Sequence, residues 1–308
     1  MTQIRRIYTD YAMENRTFIP GSEWVYFKIY TGTKTADAIL KKEIYRFIRE
    51  MINNGTIDKW FFVRYSDPDF HIRLRLHLNE ARDFNSIFNR FFVDLQPVIN
   101  ADLVWNIQCD TYQREMERYG YNTISLIEDL FFIDSEYLIR LLHHLNSEYA
   151  EQRRWKLALL LTDSFLSAFS LELPQRKELL NTLAESHKKE FGFTHHRTTK
   201  PLNDKYRVCR KDIENTLGRE NEFTNMTNVI NARKLAILPI ADKLNVMLEN
   251  GELQVPLESL LKSLVHMTMN RWFRAHNRLH EMVIYEFLSR YYASEMAKDK
   301  YNPQKANA

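Results

Sequence analysis

Chain punctuation is scarce in this 308-residue sequence, which holds only 7 glycines and 8 prolines, the residues that most often break helices and shape turns. Few breaks predict long helices. The 2 cysteines, Cys109 and Cys209, fit neither a C-x-x-C nor a zinc spacing and build no disulfide framework. That usage predicts a reducing, cytoplasmic compartment. No run approaches the roughly 18 apolar residues of a membrane span, and the opening MTQIRRIYTDYAMENR lacks the apolar core of a signal peptide. A soluble protein with no membrane partner is expected. Excess charge is missing too, since 43 basic against 40 acidic residues leave a net +3, too balanced to predict a nucleic-acid surface. There is no P-loop, no dinucleotide glycine fingerprint and no G-x-S-x-G elbow. Nucleotide hydrolysis, hydride transfer and serine hydrolysis are therefore not indicated.

What the sequence does hold is apolar and aromatic material, 44% and 13% of residues, enough for an ordered chain with a sizeable core. The most informative stretch runs from Trp60 to Leu78, WFFVRYSDPDFHIRLRLHL. Strand side chains alternate faces, so Ile72, Leu74, Leu76 and Leu78 point to a core while His71, Arg73, Arg75 and His77 form a row of donors opposite. Such a row suits a carboxylate or an oxyanion; it also suits a plain solvated sheet face. Asp67-Pro68-Asp69 is turn chemistry and makes the stretch a hairpin.

Residues 1–22 read as an arm leading into a strand, Trp24 to Tyr30, and a helix from Thr35 to Asn53 ended by Asn54 and Gly55. The hairpin, a helix near Phe84 to Val98 and a strand from Leu103 to Cys109 complete a βαββαβ order of the ferredoxin-like kind. From about Asn122 the periodicity turns helical, with segments Ser125–Leu145, Glu151–Leu171, Pro174–Glu190, Asp204–Leu217, Asn225–Leu248, Pro256–Phe273 and Arg278–Ala297. Phe191 to Pro201 reads as a loop, and the tail YNPQKANA as frayed. The fold class expected is α+β: an antiparallel sheet region over residues 1–121 and a mostly helical region over 122–308, forming one compact unit.

Two further clusters carry chemistry. Tyr112 to Gly120, YQREMERYG, follows the last strand and sets Glu115 and Arg118 at i and i+3, where they pair if the turn is helical; a surface ion pair is the plainer reading. In the segment from Pro256, His266 stands beside the apolar face with Asn270 one turn on, and Arg271 and Arg274 nearby. An imidazole there suits proton transfer, or simply packs at a boundary. His143-His144 and His195-His196 point apart, and His276 and His280 lack the H-E-x-x-H pattern. No metal and no cofactor are expected.

The blocks WVYFKIY, FVRYSDPDFHIRLRL, TYQREMERYG and SLVHMTMNR, in this order, resemble the C-terminal, SpaB-type domain of lantibiotic dehydratases over roughly Glu23 to Tyr292. The resemblance implies a lyase that removes glutamate from glutamylated Ser and Thr of a ribosomal precursor peptide, leaving dehydroalanine and dehydrobutyrine. It implies as partners that peptide and a separate, tRNA-dependent glutamylating component, with no direct nucleic-acid contact; a homodimer is compatible. Carried onto this chain it marks Arg73, Arg75, Glu115, Arg118 and His266 as the catalytic set, converging on one pocket. Arg64, His71, Asn270 and Arg271 fall beside them as substrate-binding residues. Arg73, Arg75 and Arg118 would grip the glutamyl group and developing negative charge, His266 would transfer a proton, and Glu115 would orient Arg118. Tyr121 departs from the pattern where the family often has a second glycine. The alternatives are a pyridine-forming cyclase of the same superfamily and a non-catalytic subunit that binds peptide by adding a strand to its sheet edge.

Overall fold

A computed structural model of the chain describes residues 15–145, 150–193, 195–218 and 223–301. The chain divides into two compact units, residues 1–139 with 242–260, and residues 140–241 with 261–308.

The first unit is built on strands β2 (Trp24–Thr31), β3 (Ile57–Ser66), β4 (Phe70–Leu78) and β5 (Val104–Asp110), in the order β3-β4-β2-β5 with every neighbouring pair antiparallel. This is the ferredoxin-like arrangement that the βαββαβ order implied. Helices α1 (Thr33–Ile39) and α2 (Tyr45–Asn53) follow β2, joined by a π-helical turn at Leu40–Ile44, and α3 (Phe84–Asn100) joins β4 to β5. Period-two alternation decides which sheet face they cover. Val25, Phe27, Ile29, Ile72, Leu74 and Leu76 are all buried against Ile44, Phe47, Ile48, Phe91 and Leu95 of the helices. Phe27 and Phe91 stack with centroids 4.1 Å apart, an offset-stacked geometry that adds to area burial.

The expected arm is partly a strand. β1 (Thr17–Phe18) pairs antiparallel with β6 (Tyr112–Gln113), and the Phe18 ring stacks on Tyr112 at 5.8 Å. Two residues are too short for a periodic signal, so only the tertiary contact reveals them; residues 1–14 lie outside the described residues. After β6 come α4 (Met116–Tyr119) and α5 (Ile124–His144). Gly120 between them has φ +83°, and an added Cβ would stand 2.7 Å from the Thr123 hydroxyl, so glycine is required there. Tyr121 needs no such freedom: it is not among the residues at positive φ, and its N–H donates to Gln254 Oε1 at 2.7 Å.

The second unit is helical, with α6 (Ala150–Ala168), α7 (Leu173–Glu190), α8 (His196–Leu217), most of α9 (Thr224–Glu249) and α10 (Leu257–Trp272), and α11 (Asn277–Tyr301). α11 packs along α7, held by Lys188–Glu286 at 2.6 Å and by Arg278 with Glu190. The loop expected over Phe191 to Pro201 is shorter than read, because α8 already begins at His196. The His195 N–H is accepted by Thr198 Oγ1 at 3.1 Å, capping the new turn. Most of the tail read as frayed, residues 302–308, lies outside the described residues. Among those described, no helix is long and apolar enough to cross a membrane.

Leu74, fully buried between Phe27 on β2 and Phe62 on β3, reports on the first unit. Leu74→Ala should lower the unfolding free energy by about 2–5 kcal/mol, measured by urea denaturation.

Candidate functional site: a cation-bearing sheet face and a histidine–carboxylate pair

On the sheet face turned away from α1 to α3, register places three strands side by side. Tyr30, Lys28 and Tyr26 of β2 stand between His71, Arg73 and Arg75 of β4 and Asn106, Gln108 and Asp110 of β5. This face is not the freely solvated one the plain reading allowed, since His71 is buried and Arg73 and Arg75 are half-buried.

Arg75 is held by aromatic rings. Its guanidinium lies 4.6 Å from the Tyr26 ring centroid, 4.8 Å from Tyr112 and 5.3 Å from Phe61, and its buried Nε has no hydrogen-bond partner. Arg73 lies 3.4 Å over the Tyr65 ring and donates Nε–H to His71 Nε2 at 3.1 Å. Among the described residues neither guanidinium makes an ion pair. With Lys28 taken up by Asp110, the two permanent cations of β4 leave a field on this face that favours an anion.

His71 holds Arg73 in place. Its Nδ1 lies 2.9 Å from the Asp69 carbonyl, which can only accept, so Nδ1 carries the hydrogen and Nε2 is left to receive Arg73. Both nitrogens are engaged. Burial, with the Arg73 and Lys28 charges, holds its pKa below the ordinary histidine value against the Asp69 bond. The ring stays neutral.

Under Arg75 lies a network that joins two residues of the Tyr112 to Gly120 cluster to Glu128, which no sequence motif marked. Tyr112 donates its hydroxyl to Glu128 Oε1 at 2.8 Å, and Arg114 grips both oxygens of that carboxylate at 2.7 and 2.6 Å. Burial, and then the Glu128 charge, push the Tyr112 phenol well above its usual range. Tyr112 thus offers Arg75 a neutral, fixed ring. Glu128 sits in an ordinary-looking helix, so only its contact with β6 reveals the role.

Glu115 and Arg118 do pair, at 3.2 Å across the turn of α4, with side chains 62% and 36% exposed. A solvated pair of this kind adds little stability. A series of ring contacts ties Arg118 to the cation face: it lies over Tyr119, which meets Phe131, which meets Phe61. Arg64 belongs elsewhere. Paired in register with Ile72, it points to the helix side and meets Asp37 of α1 at 2.5 Å, fully buried, so the expectation that it contacts substrate is corrected by strand parity.

In the second unit, His266 Nδ1 lies 2.9 and 3.0 Å from the two carboxylate oxygens of Glu281 on α11. A carboxylate accepts, so Nδ1 donates and, in the neutral ring, Nε2 keeps a free lone pair; the side chain is 24% exposed. Glu281 is itself buried and also receives the Tyr285 hydroxyl at 3.1 Å, with His187 Nε2 at 3.3 Å and Arg278 at 3.9 Å. Burial pushes the Glu281 carboxyl up, but His187 and His266 outweigh it and hold it below the usual range. The sequence reading missed Glu281, although its place one helix after the histidine was visible. Asn270 is half-buried, and its carbonyl accepts from Asn277. Arg271 is buried and turns back on its own helix, donating to the Met267 carbonyl at 3.1 Å, so the expectation of a surface contact to substrate is corrected by burial. Among the described residues no group of three His, Cys, Asp or Glu could hold a metal ion.

The strand order and antiparallel register define a ferredoxin-like α+β fold, and the second unit carries a carboxylate-held histidine. The family model for the lantibiotic biosynthesis dehydratase C-terminal region matches residues 24–292, and the chain belongs to that family. It is 24% identical over 278 residues to the subtilin biosynthesis protein SpaB of Bacillus subtilis, covering 88% of this chain and 25% of SpaB. It is 25% identical over 287 residues to the nisin biosynthesis protein NisB of Lactococcus lactis subsp. lactis, covering 92% and 27%. The chain thus spans about a quarter of the length of these relatives. Among solved structures, the tRNA-dependent lantibiotic dehydratase MibB from Microbispora sp. 107891 shares the fold with a TM-score of 0.70 at 19% identity, over 91% of this chain and 29% of MibB. The pyridine synthase TbtD from thiomuracin biosynthesis shares it at 0.61 and 14% identity, over 89% of this chain and 100% of TbtD.

Two outcomes follow from these geometries. Because the folded state resists protonating His71, stability should fall as pH drops through its ordinary value of 6.5, and His71→Gln should flatten that slope in thermal melts from about pH 8 to about pH 5. Glu281→Gln, which removes the charge that holds two imidazoles, should cost about 1–3 kcal/mol in chemical denaturation.

Proposed function

We propose that this chain carries out the elimination half of peptide dehydration, removing glutamate from glutamylated Ser or Thr of a ribosomal precursor peptide to leave dehydroalanine or dehydrobutyrine. The observation that carries this reading is the pair of half-buried guanidiniums, Arg73 and Arg75, that make no ion pair among the described residues in a chain of the dehydratase family. A departing carboxylate is the anion such a face would stabilise.

In the reaction, a base takes the α-proton of the modified residue, the freed electron pair forms the Cα=Cβ bond, and the Cβ–O bond breaks. Glutamate departs with that bond's electrons as a carboxylate. Arg73 and Arg75 would hold the glutamyl group, since a planar fork donates paired hydrogen bonds and stays charged. Arg118 would add a third cation, oriented by Glu115. Proton transfer is assigned to His266 through Nε2, with Glu281 accepting Nδ1–H and stabilising the imidazolium, a role carboxylates play beside catalytic histidines. Arg64 and Arg271, both buried, would support the fold and not touch the glutamyl group. Glutamylation is a separate reaction, assigned to none of these residues. A ring-forming reading is favoured only by the full-length match to the pyridine synthase TbtD; bare guanidiniums fit a carboxylate leaving group better.

Purified chain given glutamylated peptide should release glutamate, read as a mass loss. Arg75→Ala is expected to slow that release about 100-fold or more and His266→Ala by a similar factor. Undiminished release in both variants would remove the reading, and loss of leader with ring closure would replace it.

A further inference from the structure

The cation face has a second, opposite end. Arg75 and Asp110 are both paired in register with Tyr26, from β4 on one side and β5 on the other, so they share one transverse row two strand spacings, about 10 Å, apart at the backbone. Asp110 Oδ1 accepts the Thr111 N–H at 2.7 Å, and Oδ2 meets Lys28. Each oxygen keeps a second lone pair, and the side chain is 43% exposed, open to a ligand. Lys28, and behind it Arg73, keep the carboxyl ionised, holding it below its usual range. The face therefore runs from the positive charges of Arg73 and Arg75 on β4, over Tyr26, to a carboxylate on β5 that is shared with Lys28.

A simple anion would use only one end of such a face. A glutamyl group taken from an aminoacyl-tRNA is joined through its α-carboxyl, so it keeps a free α-ammonium and a free γ-carboxylate. Its charges match both ends. We propose that Asp110, backed by Lys28, receives the α-ammonium of the glutamyl group, so that the site selects aminoacyl esters over acyl esters without the amine. The assignment rests on the elimination reading for its substrate. Asp58 is bound to His77 Nδ1 at 2.7 Å beyond Arg75, away from the Tyr26 row, and serves as the control.

The test uses two serine peptides, one carrying a glutamyl ester and the other a glutaryl ester that lacks only the amine. Wild-type protein should favour the glutamyl ester at least about tenfold in kcat/KM, a modest ratio for a site built to bind the missing group. Asp110→Asn should bring the ratio near one, while Asp58→Asn leaves it as in wild type. Damage to folding would lower both esters alike, so a ratio preserved in Asp110→Asn overturns the proposal, as does a wild-type protein without preference. If wild type eliminates neither ester, the elimination reading falls, and calorimetry with free glutamate and glutarate decides the receptor. Tighter glutamate binding that Asp110→Asn abolishes supports it, and equal affinities overturn it.

Discussion

A guanidinium kept half out of water with no acid beside it constrains everything around it in the first unit. Stripping such a group of water is costly unless something polarisable or charged replaces the solvent. At Arg75 the replacement is three aromatic faces, Tyr26, Phe61 and Tyr112, which attract a cation without neutralising it. An aspartate in any of those positions would have held the arginine more firmly and cancelled its field.

The cage needs its rings fixed, and the surrounding chemistry does this one step further out. Tyr112 is anchored by Glu128, whose second oxygen is taken by Arg114, so the acid closest to the cage is already satisfied by another arginine. His71 does the same for Arg73, tied to a carbonyl on one side and passive toward the guanidinium on the other. Charge is compensated where structure requires it and left open where a ligand would meet it. Perturbed and uncompensated groups are known to gather at functional sites for this reason.

The second unit uses the opposite device. Glu281 is buried among polar groups, receiving His266 Nδ1–H at 2.9 Å and the Tyr285 hydroxyl at 3.1 Å, with His187 Nε2 3.3 Å away. The His266 side chain nevertheless stays partly exposed. A buried carboxylate so surrounded stays ionised and fixes the ring, and a ring fixed at Nδ1 is free to act at Nε2.

The sequence by itself determined the sheet, its helices and the split between faces, because strand period two and helix period 3.6 are local properties that alternating and spaced apolar residues display directly. It also displayed Arg73, Arg75 and His266, since their chemical type and position in a pattern were enough to single them out. Tertiary structure alone decided the rest. Whether an arginine faces an acid, a ring or nothing depends on residues distant in the chain, and so the bare state of Arg75, the partnership of His266 with Glu281 and the anchoring of Tyr112 by Glu128 were illegible. Arg64 shows the limit well: it is the same residue type in the same hairpin as Arg75, yet it lies on the other side of the sheet with Asp37 at 2.5 Å. Only folding brings an acid to one guanidinium and withholds it from another.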